Sequence, residues 1–218
     1  MYPITLAKLY NSLGLALSSR LQTPLSSSSL NVHGSHDLVS RPELPGGSPF
    51  SLCDASQPTD LFQVASIELT KQPVYIEDVF LFHLYGEFQG TFTPNATMNL
   101  TVDCGSHCEE YGAPPGERRG ESGALPFCDV SDIEQPLGGE KRNETCPPVE
   151  GHALITSPGY AWRMFLGAPG WYNFTFDAKT TEGDRIYCVT AEVCLRYEDE
   201  DENRHYPPTP ARDCRWPR

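Results

Sequence analysis

Positive charge is scarce in this chain. Lysine and arginine number 16 of 218 residues against 29 aspartates and glutamates, a net charge of −13. Phosphate binding needs clustered basic side chains, so the balance argues against nucleic acid as a partner. Long apolar stretches are missing as well. No run approaches the ~20 residues that a helix needs to cross a bilayer. No stretch keeps a clean helical period over a dozen residues, which argues against an α-helical fold.

Catalytic signatures are absent too. His33, His36, His83, His107, His152 and His205 form no His-Glu-x-x-His pattern. There is no Gly-x-Ser-x-Gly elbow and no glycine-rich phosphate loop. Acidic residues abound, but no spacing sets two of them up as a glycosidase pair. The expectation is a protein that is not an enzyme and that uses no cofactor and no metal.

Cysteine, by contrast, is present at an even count of eight. Together with four Asn-x-Thr sequons, at Asn95, Asn99, Asn143 and Asn173, this points to an oxidising, glycosylating compartment. The expected location is therefore secreted, or the lumen of a vacuole or lysosome. The amino terminus is a poor signal peptide, because Lys8, Asn11 and Ser12 interrupt its apolar residues. Residues 1–49 read as leader and linker, rich in Ser, Pro and Gly from 18 onward. Residues 198–218 read as an acidic, proline-rich tail whose Glu198–Glu202 run is solvated and disordered.

The folded part is expected over 50–197. Its apolar runs are short and strand-like: Leu61–Leu69, Val79–Phe88, Met98–Val102, Ala153–Thr156, Tyr160–Leu166, Trp171–Ala178 and Ile186–Leu195. They are rich in β-branched and aromatic residues and divided by Gly/Pro turns, the pattern of a β-sandwich. Residues 105–125 read as a long polar loop inserted between two compact halves. A bridge between Cys53 and Cys188 would tie the first strand to the last.

The sequons set strand register, since a glycan must face solvent and strand side chains alternate. Asn173 and Thr175 outward put Tyr172, Phe174 and Phe176 inward. Asn99 and Thr101 outward put Met98, Leu100 and Val102 inward. Phe80, Phe82, Leu84 and Phe88 share a face opposite His83, Tyr85 and Glu87. Val189, Ala191 and Val193 oppose Thr190 and Glu192. Cys104-Gly-Ser-His107-Cys108 has zinc-ligand residue types, but a local disulfide suits an oxidising compartment better.

The order Phe50-Ser51-Leu52-Cys53, then Leu125-Pro-Phe-Cys128, Cys146-Pro147-Pro148-Val149-Glu150-Gly151 and Ile186-Tyr187-Cys188-Val189 resembles the ML (lipid-recognition) family. The likeness is nearest to its fungal phosphatidylglycerol/phosphatidylinositol transfer proteins. It covers about residues 50–197 and leaves 105–125 unmatched. The resemblance implies an immunoglobulin-like sandwich of two antiparallel sheets with a lipid cavity between them. It also implies bridges Cys53–Cys188 and Cys128–Cys146. Cys104 and Cys108 lie close together, and Cys194 and Cys214 are left to pair, which would pin the tail. Eight cysteines permit 105 connectivities, so other pairings stay open.

The function that follows is capture of a phospholipid or sterol and its transfer between membranes. It would act as a monomer through transient membrane contact. The expected lining is Phe80, Phe82, Leu84, Phe88, Leu100, Val102, Trp162, Met164, Phe174, Phe176, Val189 and Val193. Gly159–Trp162 and Gly167–Tyr172 are candidate membrane-facing turns, since Trp and Tyr favour the bilayer interface. Two rival classes remain: a recognition module with a filled core, binding carbohydrate or a protein surface, and a hydrolase with an unrecognised site.

Overall fold

The computed structural model describes residues 44–105, 119–137, 140–143, 146–160, 168–206, 208–209 and 212–214. In chain order the elements are β1 (Phe50–Leu52), β2 (Phe62–Leu69), β3 (Val79–Phe88), β4 (Thr97–Asp103), β5 (Arg119–Pro126), α1 (Phe127–Val130), β6 (Asp132–Leu137), β7 (Glu140–Asn143), β8 (Gly151–Tyr160), β9 (Gly170–Lys179), β10 (Arg185–Leu195) and α2 (Glu200–Asn203). The strands form two five-stranded sheets, ordered β1-β10-β9-β4-β5 and β2-β3-β8-β6-β7. Every named pairing is antiparallel. The expected all-β, disulfide-stabilised sandwich is what forms.

Side-chain alternation builds it. Along β9, Tyr172, Phe174, Phe176 and Ala178 are buried while Trp171, Asn173, Thr175, Asp177 and Lys179 are half-buried. In β3 the buried set is Phe80, Phe82, Leu84 and Phe88. Both registers agree with the expectation from the sequons. Thr190 lies on the outward face of β10 yet is buried, because its hydroxyl donates to Asn173 Oδ1 at 2.8 Å.

The β9–β10 turn marks the lower end of the sandwich, and Gly170 and Leu195 mark the upper end. The lower half is filled by rings. Phe62 meets Phe88 at 4.6 Å between centroids and Tyr187 at 6.4 Å, while Phe127 meets Phe92 at 5.6 Å and Tyr187 at 6.0 Å. The Tyr187 hydroxyl donates to Met98 Sδ at 3.5 Å and also interacts with Ser157 and Ser131, whose own hydroxyls are 2.9 Å apart. Burial pushes the Tyr187 phenol above its ordinary range.

Bridges Cys53–Cys188, Cys128–Cys146 and Cys194–Cys214 are formed. Cys104 is disulfide-bonded as well, which removes it from any zinc set. Its expected partner, Cys108, lies outside the described residues.

Several boundaries differ from the sequence reading. Residues 119–125, placed in the polar loop, form β5 together with Pro126. Arg-Gly-Glu-Ser-Gly-Ala-Leu-Pro has little strand propensity, and its strand character comes from pairing with β4 at the sheet edge. The Cys128–Cys146 loop contains β6 and β7. The runs at 153–156 and 160 belong to one strand, β8, which passes straight through Pro158. Proline fits there because, among the described residues, β6 pairs with β8 only as far as Thr156, which leaves β8 an edge beyond it. The acidic run is ordered into α2, with the Asp199 carboxylate accepting from the Asp201 amide. The fold also reaches back into the linker, where the Pro45 carbonyl accepts from the Ile67 amide at 2.9 Å.

Candidate functional site

The inner face of the first sheet is a set of cross-strand rows. At the level of Phe176 the row reads Leu52, Val189, Phe176, Leu100 and Gly123. One step higher it includes Phe50, Ala191, Phe174 and Val102. Phe82 of the second sheet touches both rows, 4.8 Å from Phe176 and 5.6 Å from Phe50 between ring centroids. This trio bridges the sheets and forms a floor. Below it, Leu84 and Phe88 are completely buried among other core side chains, as is Val189 in the row of Phe176.

Packing loosens to one side of the floor. Leu100 occupies the middle of β4, with Phe176 and Gly123 as neighbours on either side. Its side chain alternates inward with Met98 and Val102, which are buried. An inward leucine in the middle of a paired strand should be buried likewise, yet Leu100 is only half-buried. Its partner Gly123 faces the same way. A methyl group built on Gly123 would meet no atom of the described residues within 4 Å. Among the described residues these two observations leave the inner face of the first sheet uncovered beside Leu100 and Gly123, as a hollow.

Phe80 and Phe174 are 9% and 8% exposed, whereas Phe82 and Phe88 are at 0% and Tyr172, nearer the upper end, is at 1%. Val193 is half-buried against the same core. Of the proposed lining, then, Phe80, Leu100, Val102, Phe174 and Val193 lie beside or above the floor. Phe82 and Phe176 form the floor, Val189 lies buried beside Phe176 in the same row, and Leu84 and Phe88 lie beneath. Trp162 and Met164 lie outside the described residues. Gly123 was missed by the sequence reading, since it fell in a stretch read as loop. The signal available was the apolar Leu125 two positions on.

Trp171 points outward beside Cys194, and its indole N–H donates to the Asp213 carbonyl at 3.1 Å. Tyr172 is buried and donates to the Ala168 carbonyl at 2.8 Å. Both polar tips of this turn are thus satisfied within the protein.

A second concavity lies on the outer face of the second sheet, with a volume of about 680 Å³. It runs across β2, β3, β8 and β6 between two rows of side chains. One row is Gln63, Glu87, His152 and Pro136; the other includes Tyr85, Leu154 and Glu134. Three strand spacings give it a length of about 14 Å. The Tyr85 hydroxyl donates to Glu68 at 3.3 Å, and burial followed by the Glu68 charge raises its pKa.

Among the sequon asparagines, Asn95 is exposed, and Asn99 and Asn173 are half-buried on the outward face of the first sheet. Asn143 ends β7. No helix among the described residues is long and apolar enough to cross a membrane. No protein-family model matches the chain, and no curated protein matches it.

Proposed function

We propose that this protein is a lipid carrier that takes the apolar part of a phospholipid or sterol between its two sheets and passes it between membranes. The observation that carries the reading is Leu100, inward and mid-strand yet half-buried, beside a glycine that faces open space. A sandwich that serves only as a scaffold gains by filling such a space, since interiors pack at crystal density. Leaving it open forgoes that gain and makes sense where a ligand supplies the missing contacts.

The physical demand on a carrier is modest. Each buried methylene gains about 0.8 kcal/mol over water, and a bilayer offers nearly the same. The carrier needs only to match the bilayer, which weak contacts to Phe80, Leu100, Val102, Phe174 and Val193 achieve reversibly. No covalent step, cofactor or metal takes part. The resemblance in the cysteine-bearing segments favours phosphatidylglycerol or phosphatidylinositol as cargo, with a sterol as the alternative. The three bridges and the four sequons fit a protein secreted or held in a vacuolar or lysosomal lumen, glycosylated at Asn95, Asn99, Asn143 and Asn173. It works as a monomer in transient contact with the membrane.

Native mass spectrometry of the purified protein, followed by lipid extraction and thin-layer chromatography, tests this. A retained mass that migrates as phospholipid or sterol is the expected result. A bare polypeptide mass, with none gained on incubation with vesicles, would overturn it. The groove on the outer face of the second sheet favours a second reading, a recognition module. Binding of a soluble glycan or peptide that Tyr85→Ala abolishes, by a protein devoid of lipid, would put that reading first.

A further inference from the structure

The two long sides of the sandwich are closed to different degrees. On the side where β10 faces β2, the sheets are joined at both ends. At the lower end the Leu61 amide donates to the Arg185 carbonyl at 2.8 Å, and at the upper end the Ile76 amide donates to the Arg196 carbonyl at 2.8 Å. Tyr75 and Arg196 form a parallel bridge there. The next residue, Tyr197, is buried in the same apolar cluster as Val74 and Ile76. The tail then folds over this corner. Asn203 bonds both the amide and the carbonyl of Tyr197, Tyr206 stacks on Tyr197 at 6.1 Å, and the Cys194–Cys214 bridge closes the loop.

Among the described residues the opposite side is joined only from its lower end to its middle. There α1 leads from β5 to β6, the Phe127 amide donates to the Ala96 carbonyl at 2.8 Å, and Ser131 meets Ser157. Above that level the sheets are unequal. β5 accompanies β4 to the top, where Asp103 pairs with Arg119. β6 leaves β8 at Thr156, so among the described residues Ser157–Tyr160 pair with β3 alone. Gly123 and Leu100 lie on the inner face of the first sheet, at its β5 edge.

We propose that the sandwich opens like a book, with the β10–β2 side and the C-terminal loop as its spine, and that the ligand's apolar chain passes in and out laterally between β5 and the upper part of β8. Gly123 is the doorway residue, because any larger side chain there projects into the path. The tail acts as a fastening of the spine and not as a gate. The transfer arm of the test rests on the lipid-carrier reading, while the opening asymmetry does not.

Hydrogen exchange of the full, oxidised chain freed of lipid reads the asymmetry directly. Amides of β5 and of residues 157–160 should exchange faster than those of 61–67 and 185–196; equal protection of the two sides, or the reverse order, overturns the proposal. Transfer of a fluorescent phosphatidylglycerol between phosphatidylcholine vesicles reads the doorway. Gly123→Phe should slow it at least about tenfold, the effect of a barrier raised by about 1.4 kcal/mol. The double variant Cys194→Ser, Cys214→Ser, which loosens the spine, should leave the rate within about twofold, a change of about 0.4 kcal/mol. Transfer unaltered in Gly123→Phe but accelerated in the cysteine variant would place the way in at the other side. If Gly123→Phe does not fold, the exchange order on the native chain decides alone. If the native chain neither holds nor transfers lipid, the carrier reading fails and the exchange result still stands or falls by itself.

Discussion

Below the Phe50–Phe82–Phe176 floor, the space between the sheets is packed with rings that show almost no exposed surface; beside the floor, at Leu100 and Gly123, it is not packed. The same two sheets therefore carry a scaffold and a hollow. The difference arises from side-chain size. Along β3 the inward residues below the floor are Leu84 and Phe88, and Tyr187 reaches across from β10. At the level of Leu100 the row ends in a glycine. Stability belongs mainly to the first region and the proposed binding to the second, so substitutions can separate the two.

The largest effect should come from the bridge that fixes the edge of the first sheet. Cys53 and Cys188 are 135 residues apart, and releasing a loop of that length from the unfolded chain costs about 5 kcal/mol by the chain-entropy relation. Urea denaturation of the Cys53→Ser, Cys188→Ser variant should show a loss of that order, against a smaller loss for Cys194→Ser, Cys214→Ser, whose loop spans 20 residues. Equal losses would mean that native contacts of the tail, and not loop length, govern both.

Next comes the comparison of two apolar truncations. Phe88→Ala removes a fully buried ring from a filled region and should cost about 4 kcal/mol, since the vacated space cannot collapse. Leu100→Ala removes a half-buried side chain that already borders open space, and should cost nearer 2 kcal/mol, at the low end for such changes. Lipid retention should move the other way: Phe88→Ala keeps its cargo at temperatures where it stays folded, and Leu100→Ala loses affinity. Matching stability losses for the two would erase the distinction between scaffold and hollow.

Two glycines sharpen it further. A methyl on Gly86 would lie 2.2 Å from the Gln63 carbonyl oxygen and 2.8 Å from the Phe62 ring, because β2 bulges there and brings its backbone close. Gly86→Ala should cost about 3 kcal/mol by overpacking. Gly123→Ala meets nothing and should gain about 0.5 kcal/mol by reducing the freedom of the unfolded chain. Thermal melting of the pair reads both signs. A loss at Gly123 as large as that at Gly86 would mean that the hollow is filled.

How much of this was readable in the sequence depends on which force decided each element. The long strands β3, β9 and β10 alternate cleanly, because one face is buried and the pleat has a period of two. Their inward residues were correct from Phe80 to Val189. The partners of Cys53, Cys128 and Cys194 were also correct, the first two through a resemblance and the third as the remaining pair. β5, β6 and β7 were invisible, since their strand character derives from pairing and not from composition. The hollow was legible only as a list of apolar residues. A list cannot distinguish Phe88 beneath the floor from Phe174 above it, for both alternate inward on strands of equal length. Gly123 was lost with β5, and with it the residue that marks where packing stops.

The last effect concerns Tyr187, whose hydroxyl donates to Met98 Sδ and sits against Ser157 and Ser131 at the boundary between the regions. Its phenol is neutral and completely buried, and burial raises its pKa above the ordinary ~10 of tyrosine. A group with a raised folded pKa holds its proton more tightly when folded. Its contribution is therefore complete below pH ~10 and falls as pH climbs from there towards the folded value, at up to about 1.4 kcal/mol per unit. At neutral pH, Tyr187→Phe should cost about 1 kcal/mol, one hydrogen bond, because Ser131 and Ser157 keep each other. Above pH 10 the variant should lose stability more slowly than the native chain, and the two urea midpoints should converge. If they stay parallel, water reaches the phenol, and the solid lower half is open as well.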